Sequence, residues 1–416
     1  MLLEDIENDD DGFSVPVSMV SSAESFSVGS ANKSLQQQVE KNEQSKSNLE
    51  ERSIPFLATI SRINASSPQL SCIKTDNSSK QISLLLPNNK QQSWFVGFNL
   101  DDLNHKKDPN FSNQKLVFEN LKEHFEEFFS GSRTKKLTVL VLGGSSSGKS
   151  YTLFGRHEND VYKEHGILFR FSDFIFSDKC VGGCQIILKI YMILNEKVID
   201  LLGSPKSYAH EENVFHTEIT GPIIIPLNSF VAKSLEQYME IVTMSLMNIA
   251  YIAANICDVV SGSASVIISN TVVSVADNKI WTVEFVEMGV PFHYSETALH
   301  ELPADPFWDQ SYRLRSVVQF SDYLAASGVD EHDHSSAAQN LRRKSFDDSL
   351  ITYILRDLLQ ADCSGIVIGC LRANDASFAE NASTLEVLSR LDEIFHEKFN
   401  SLEEEPGQGQ EGVENK

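Results

Sequence analysis

The sequence predicts an α/β layered fold with a largely buried sheet, and three observations predict it. Strand-like, β-branched runs alternate with stretches of helical spacing from Ile54 onward. LTVLVLG (137–143) and SGIVIGCL (364–371) are apolar runs of the kind found in strands covered on both faces. Directly after the first comes GGSSSGKS (143–150), a turn of glycines and serines that closes on Gly148-Lys149-Ser150.

The elements follow in order. Residues 1–53 hold 11 acids against 4 bases and are rich in serine, asparagine and glutamine, so a disordered tail is expected there. Within it SLQQQVEKNEQSKSNLEER (34–52) permits a helix, but Leu35, Val39 and Leu49 are too few for a coiled-coil seam. IPFLATISRI (54–63) reads as a strand and NQKLVFENLKEHFEEFF (113–129) as an amphipathic helix. CQIILKIYMILNEKVIDLL (184–202) and SASVIISNTVVSV (263–275) are β-branched. SLEQYMEIVTMSLMNIAYIAAN (234–255) and SFDDSLITYILRDLLQ (345–360) have helical spacing. Residues 399–416 read as a polar, acidic, disordered tail, which leaves 54–398 as the folded domain. No internal repeat is present.

At 416 residues the chain buries a large core, and 41% hydrophobic with 22% charged residues is ordinary globular composition. No apolar stretch approaches the roughly 20 residues of a membrane span, and the acidic N-terminus does not resemble a signal peptide. The net charge of −23 disfavours a polyanionic partner, so nucleic acid is not expected. The six cysteines are scattered and mostly lie in apolar runs, as reduced core thiols of a cytoplasmic protein do. Cys180 and Cys184 have metal-ligand spacing but no second pair nearby. DEHDHSS (330–336) reads as a polar loop for the same lack of further ligands.

Gly143-Gly144-Ser145-Ser146-Ser147-Gly148-Lys149-Ser150 fits G-x-x-x-x-G-K-[ST]. Glycines let successive N–H groups face an anion, the lysine reaches the outer phosphates and the serine hydroxyl ligates Mg²⁺. An apolar strand before the loop and a helix-compatible run after it supply the context this motif needs.

GGSSSGKSYTLFG (143–155) resembles the phosphate loop of kinesin motor domains, including the Tyr-Thr-x-x-Gly that follows the loop serine. Further segments are similar in the same order. FVGFNLDD with NQKLVF matches the strand and Gln-x-x-Val-Tyr helix, and HGILFRFSDFIF the Gly-Ile-Ile-Pro segment. IYMILNEKVIDLL matches Glu-Ile-Tyr-Asn-Glu-x-Ile-x-Asp-Leu-Leu, and FDDSLITYILRDLL matches Arg-Asp-Ser-Lys-Leu-Thr-x-Leu-Leu. ASTLEVLSRLDEI matches the closing Thr-Leu-x-Thr-Leu helix. The resemblance runs from about Ile54 to His396. It implies a P-loop NTPase of kinesin motor type, with a central mixed sheet of about eight strands and helices on both faces. It also implies ATP or ADP with Mg²⁺ as ligand, microtubules or a partner kinesin subunit as partners, and a cytoskeletal location in the cytoplasm.

The departures fall on the chemistry. The family's first switch, Asn-x-x-Ser-Ser-Arg-Ser-His, aligns with Asp258-Val259-Val260-Ser261-Gly262-Ser263-Ala264-Ser265, so Ser261 survives as a Mg²⁺ candidate and the arginine is lost. The second, Asp-Leu-Ala-Gly-Ser-Glu, lies within KIWTVEFVEMGVPF (279–292). An ungapped strand register puts Glu284 in place of the Mg²⁺-side aspartate and Glu287 in place of the γ-phosphate-sensing glycine. A register anchored on Gly289 instead puts Val286 at the aspartate and Pro291 at the glutamate. In both, the arginine and glutamate that close the family's site around the γ-phosphate are missing, and hydrolysis needs that closure to position water. Arg-x-Arg-Pro reads Arg62-Ile63-Asn64-Ala65, leaving Arg62 and Tyr151 to hold the base. The basic microtubule-facing positions read Asp347-Asp348-Ser349-Leu350. Arg342-Arg343-Lys344 upstream is either a substitute for them, a solvated basic turn or a kinase consensus ending in Ser345.

The expectation is therefore a kinesin-like, nucleotide-binding, microtubule-associated protein with weak or absent hydrolysis. The alternatives are an active ATPase using Ser261 and Glu284 as surrogates, or an interaction scaffold that binds neither nucleotide nor tubulin.

Overall fold

Strand β6 (Lys136–Gly143) sits near the middle of the main sheet with both edges paired, and its alternate residues point into two separate cores. Leu137, Val139 and Val141 enter one core, and Leu140 and Leu142 enter the other. That two-sided burial is why the run carries no alternation of polar residues. The computed structural model describes residues 56–64, 73–76, 78, 80–85, 91–101, 113–131, 135–144, 146–158, 161–179, 183–194, 197–203, 213–217, 221–225, 227–255, 264–275, 279–289, 320, 324, 349–359, 363–372 and 378–403.

In chain order the strands begin with β1 (Leu57–Asn64), a small meander of β2 (Ile73–Asp76), β3 (Gln81–Leu85) and β4 (Gln91–Phe95), and then β5 (Phe98–Asp101). Helix α1 (Asn113–Gly131) leads into β6, the phosphate-loop turn and the short helix α2 (Lys149–Phe154). A hairpin of β7 (Gly155–Glu158) and β8 (Val161–His165) precedes α3 (Ile167–Phe174), whose last turn widens into a π-helical turn over Ile175–Lys179. Next come β9 (Cys184–Leu194), β10 (Lys197–Asp200), the hairpin β11 (Asn213–Thr217) and β12 (Gly221–Ile225), and β13 (Phe230–Ala232). Helix α4 (Leu235–Asn255), β14 (Ser265–Ser274) and β15 (Lys279–Gly289) follow. The chain finishes with α5 (Leu350–Ile354), α6 (Arg356–Leu359), β16 (Ser364–Arg372) and α7 (Phe378–Glu403).

The main sheet has nine strands, eight of them in the order β10-β9-β14-β15-β6-β16-β1-β5, with β13 also on β9. β15, β6, β16, β1 and β5 pair in parallel; β10, β9, β13 and β14 join by antiparallel pairing. This is the mixed sheet expected, with one strand more. The meander and the two hairpins were not legible in the sequence, because short strands carry too little periodicity. The expected helix over 345–360 is broken at Leu355 into α5 and α6, and α7 continues past the expected boundary at residue 399 to Glu403.

Helices cover both faces. On one, α1 turns Val117, Leu121, Phe125 and Phe128 inward at helical spacing, and α4 does the same with Tyr238, Val242 and Ile252. Ser234 caps α4 by accepting from the Gln237 amide, while the Gln237 side chain accepts from the Lys233 amide, close to a capping box. On the other face lie Ile351 of α5, Leu358 of α6, and Leu385 and Leu388 of α7. Phe125 anchors the first core, with its ring 5.2 Å from Phe171 and 5.9 Å from Phe118. Truncation of such a fully buried aromatic costs about 3–5 kcal/mol. Phe125→Ala is expected to lower unfolding free energy by that amount in urea titration, with the folded circular dichroism spectrum retained.

Candidate functional site

The loop leaves the C-terminal end of β6, where the parallel strands on both sides also end. Gly143 lies opposite Gly289 of β15 and Cys370 of β16. Open α/β sheets bind ligands at this end. Gly148, at the start of α2, has φ 92°, a left-handed conformation that glycine adopts without strain. The Ser147 amide donates to the Gly144 carbonyl at 3.3 Å and the Thr152 amide to the Gly148 carbonyl at 2.8 Å.

Two functional groups converge on this turn. The buried Lys149 ammonium donates to the Gly144 carbonyl at 2.7 Å. Burial pulls its pKa down, opposed by Glu287, Cys370 and Glu380 nearby. The exposed Ser150 hydroxyl donates to Glu287 of β15 at 2.6 Å. Burial holds that carboxyl above the usual carboxylate range, opposed by the Ser150 hydroxyl and the Lys149 charge. A hydroxyl beside a carboxylate at the end of a phosphate loop is the donor set that P-loop NTPases use to hold Mg²⁺. The residues present fit a Mg²⁺–nucleotide.

Glu284, the expected Mg²⁺-side acid, is elsewhere. It lies opposite Thr138, five residues before Gly143 and about 16 Å along the strand. There it pairs with Lys136 at 3.1 Å, and Lys136 also reaches Asp357 of α6 at 2.6 Å. Glu287, read as a replaced glycine, is the acid that meets the loop serine. The missed signal was position, since Glu287 lies nearer the C-terminal end of a strand flanking the loop strand.

Arg62 is also corrected. It is fully buried behind α2, where its guanidinium donates to Thr152 at 2.7 Å and to Gln114 at 3.1 Å. Its Cζ lies 5.2 Å from the centre of the Tyr151 ring, and the Tyr151 phenol donates to Glu164 at 2.5 Å. Arg62 thus positions Tyr151 and the loop helix instead of facing a base. Gln114 completes this support by donating to the Tyr151 carbonyl, a role the sequence did not reveal. Gly143, Gly144, Ser146, Ser147, Gly148, Lys149, Ser150 and Tyr151 lie along the turn between β6 and α2 and in the first turn of α2. Ser145 and Ser261 lie outside the described residues, as do most of the first switch, the 330–336 stretch and Arg342-Arg343-Lys344. Cys184 is disulfide-bonded, against the expectation of reduced thiols. Among the described residues no cluster of His, Cys, Asp or Glu suited to a metal ion occurs, and no helix is long and apolar enough to cross a membrane.

The sequence profile of the kinesin motor domain matches residues 31–283, more than half of the chain. The chain belongs to the kinesin motor domain family. Among curated kinesin-like relatives, Kinesin-like protein Klp98A of Drosophila melanogaster is 23% identical over 310 residues, which cover 70% of this chain and 24% of that protein. Human Kinesin-like protein KIF16B is 24% identical over 312 residues, covering 70% and 22%. Rat Kinesin-like protein KIF1A is 25% identical over 306 residues, covering 69% and 17%. This kinesin-like chain therefore spans under a quarter of the length of these relatives. A solved structure of a fast kinesin superposes with TM-score 0.63 at 15% identity, covering 82% of this chain and 92% of that one, which establishes the kinesin fold.

The Lys136 cluster holds the opposite end of β6. Burial alone would lower the Lys136 pKa, but Glu284 and Asp357 outweigh it and raise it above the ordinary 10.5. A lysine raised on folding stabilises fully below its unfolded value and loses that contribution only as pH climbs through the folded one. Lys136→Met is expected to destabilise by about 3 kcal/mol because it strands the Glu284 and Asp357 carboxylates. In denaturant titrations that cost should be the same at pH 6.5 and pH 9.

Proposed function

We propose that this chain binds ATP or ADP with Mg²⁺ at the 143–150 loop, associates with microtubules, and hydrolyses ATP weakly or not at all. It acts as a regulatory or non-motile kinesin-type subunit in the cytoplasm, with the motor-type domain running from about Ile54 to the end of α7. One observation carries the nucleotide reading: Lys149, Ser150 and the Glu287 carboxylate converge at the end of β6, with 2.6 Å between the last two. Lys149 would hold the outer phosphates, while Ser150 and Glu287 would hold the cation. Mg²⁺ would neutralise charge on the phosphates.

Weak hydrolysis is supported by what surrounds that triad in the sequence. With Glu287 as the cation-side acid, the family's sensing glycine falls on Val290 and its glutamate on Phe292, while the partner arginine falls on Ser263. No register restores the closing ion pair. Microtubule association is supported by family membership and by the solved fast kinesin, which is described for its ATPase mechanism and interactions with microtubules. Glu287 beside Ser150 also favours a second reading, an active ATPase in which this acid, and not Glu284, supplies the cation site.

Phosphate release by the full chain, with and without saturating microtubules, separates the two. The first reading expects no microtubule-stimulated turnover above that of Lys149→Ala, although the parent chain binds fluorescent ADP and Lys149→Ala does not. Turnover that rises with microtubules and vanishes in Lys149→Ala establishes the second. Glu287→Gln is expected to raise the Mg²⁺ concentration needed for half-maximal ADP binding about tenfold or more, the loss of one charged ligand. Glu284→Gln should leave it unchanged.

A further inference from the structure

The first turn of α7 lies against the phosphate loop, and the residue that makes the contact is an acid. A Cβ placed on Gly144 would stand 2.2 Å from Glu380 Oε2 and 2.7 Å from Glu380 Cβ, so the glutamate side chain rests on the Gly144 peptide. Glu380 Oε2 is out of reach of water and accepts no hydrogen bond among the described residues. A buried carboxylate oxygen without such a partner is costly.

The helix backbone is poorly placed to relieve that contact. Asn381 grips the Arg372 peptide at both ends, accepting from its amide at 3.0 Å and donating to its carbonyl at 2.8 Å. One turn on, Thr384 and Leu388 pack onto Gly369 of β16, where an added Cβ would stand 2.4 Å from Leu388 Cδ1 and 3.1 Å from Thr384 Cγ2. The start of α7 is therefore fastened to β16.

Among the described residues, the charged and titratable groups around the loop are Lys149 on α2, Glu287 on β15, and Arg372 and Cys370 on β16. Glu287 and Glu380 both act on the Lys149 charge. Burial raises the Glu380 carboxyl, with Arg372 and then Lys149 opposing. A phosphate arriving at the loop meets a Lys149 that is bonded to the Gly144 carbonyl and lies in the field of Glu287 and Glu380.

We propose that Glu380 is a built-in competitor of phosphate at the loop: its carboxylate opposes an incoming anion, so loop occupancy and the placement of Glu380 at the start of α7 are coupled. This rests on the reading of the loop as a nucleotide site. The acid sets affinity and is not a catalytic residue, since its contact is with the Gly144 backbone.

The test is ADP affinity by calorimetry with excess Mg²⁺, on the full chain and on Glu380→Gln, between pH 5.5 and pH 8.5. The isosteric amide is expected to tighten binding about tenfold at pH 8, the scale of one like-charge repulsion at close range in a protein. The advantage should shrink as pH falls, because protonation neutralises the parent carboxyl while the amide stays neutral. Pyrophosphate, which shares the phosphates but has no base, should show the same shift. If Glu380→Gln unfolds early, Glu380→Ala gives the same comparison. Equal or weaker binding by the folded variant at pH 8 overturns the proposal while leaving the nucleotide reading intact. No binding by parent, variant or pyrophosphate up to millimolar concentration overturns both. Binding by the variant alone supports the proposal in its strongest form.

Discussion

Parallel pairing on both edges of β6 fixes where everything else in this site can be. β15 and β16 bind it with registers that bring Gly289 and Cys370 level with Gly143, where the loop begins. Both faces of these strands are buried, so a slip of one residue would drive Glu284 and Glu287 into the opposite cores and eject their neighbours. The acid that meets Ser150, the strand end that launches α7 and the peptide on which Glu380 rests all follow from that register.

The two ends of this strand layer carry charge for different purposes. At the N-terminal end, Lys136, Glu284 and Asp357 join sheet to α6 in a cluster remote from the loop. At the C-terminal end, Lys149 and Glu287 surround the turn where a ligand can enter. β15 supplies one acid to each. Glu284 and Glu287 are three residues apart, so they have opposite parity along the strand as well as different depth. Equivalent acids in the sequence therefore become a structural ion pair and a candidate cation ligand.

Behind the loop, a buried polar layer keeps α2 in place. Arg62, the largest fully buried side chain among the described residues, donates to Thr152 and Gln114, and Gln114 in turn donates to the Tyr151 carbonyl. A buried guanidinium is tolerated only when it is bonded in this way, and such bonding admits one arrangement of the helix start. Lys149 and Ser150 are adjacent to this layer in the chain, so their placement inherits its rigidity. Loop, support and flanking acid form one assembly drawn from β1, α1, α2, β15 and α7.

The sequence by itself determined the α/β class, the main strands β1, β6, β9, β14 and β16, the two long helices before β14, and the loop from Gly143 to Ser150. Each rests on a local signal: an unbroken apolar run, a helical period, or the fixed spacing of glycines and lysine. The collinear motifs added the family, because order along a chain is preserved without knowledge of contacts. Only the tertiary structure decided that Glu287 and not Glu284 faces Ser150, that Arg62 is interior support, and that Glu380 reaches the loop from more than two hundred residues away. Those are facts of register and packing. In a strand rich in apolar residues, the acids at 284 and 287 differ only in their distance from the strand's C-terminal end, and pairing with β6 sets which of them reaches the loop. The neighbouring strands make the choice by what they bury.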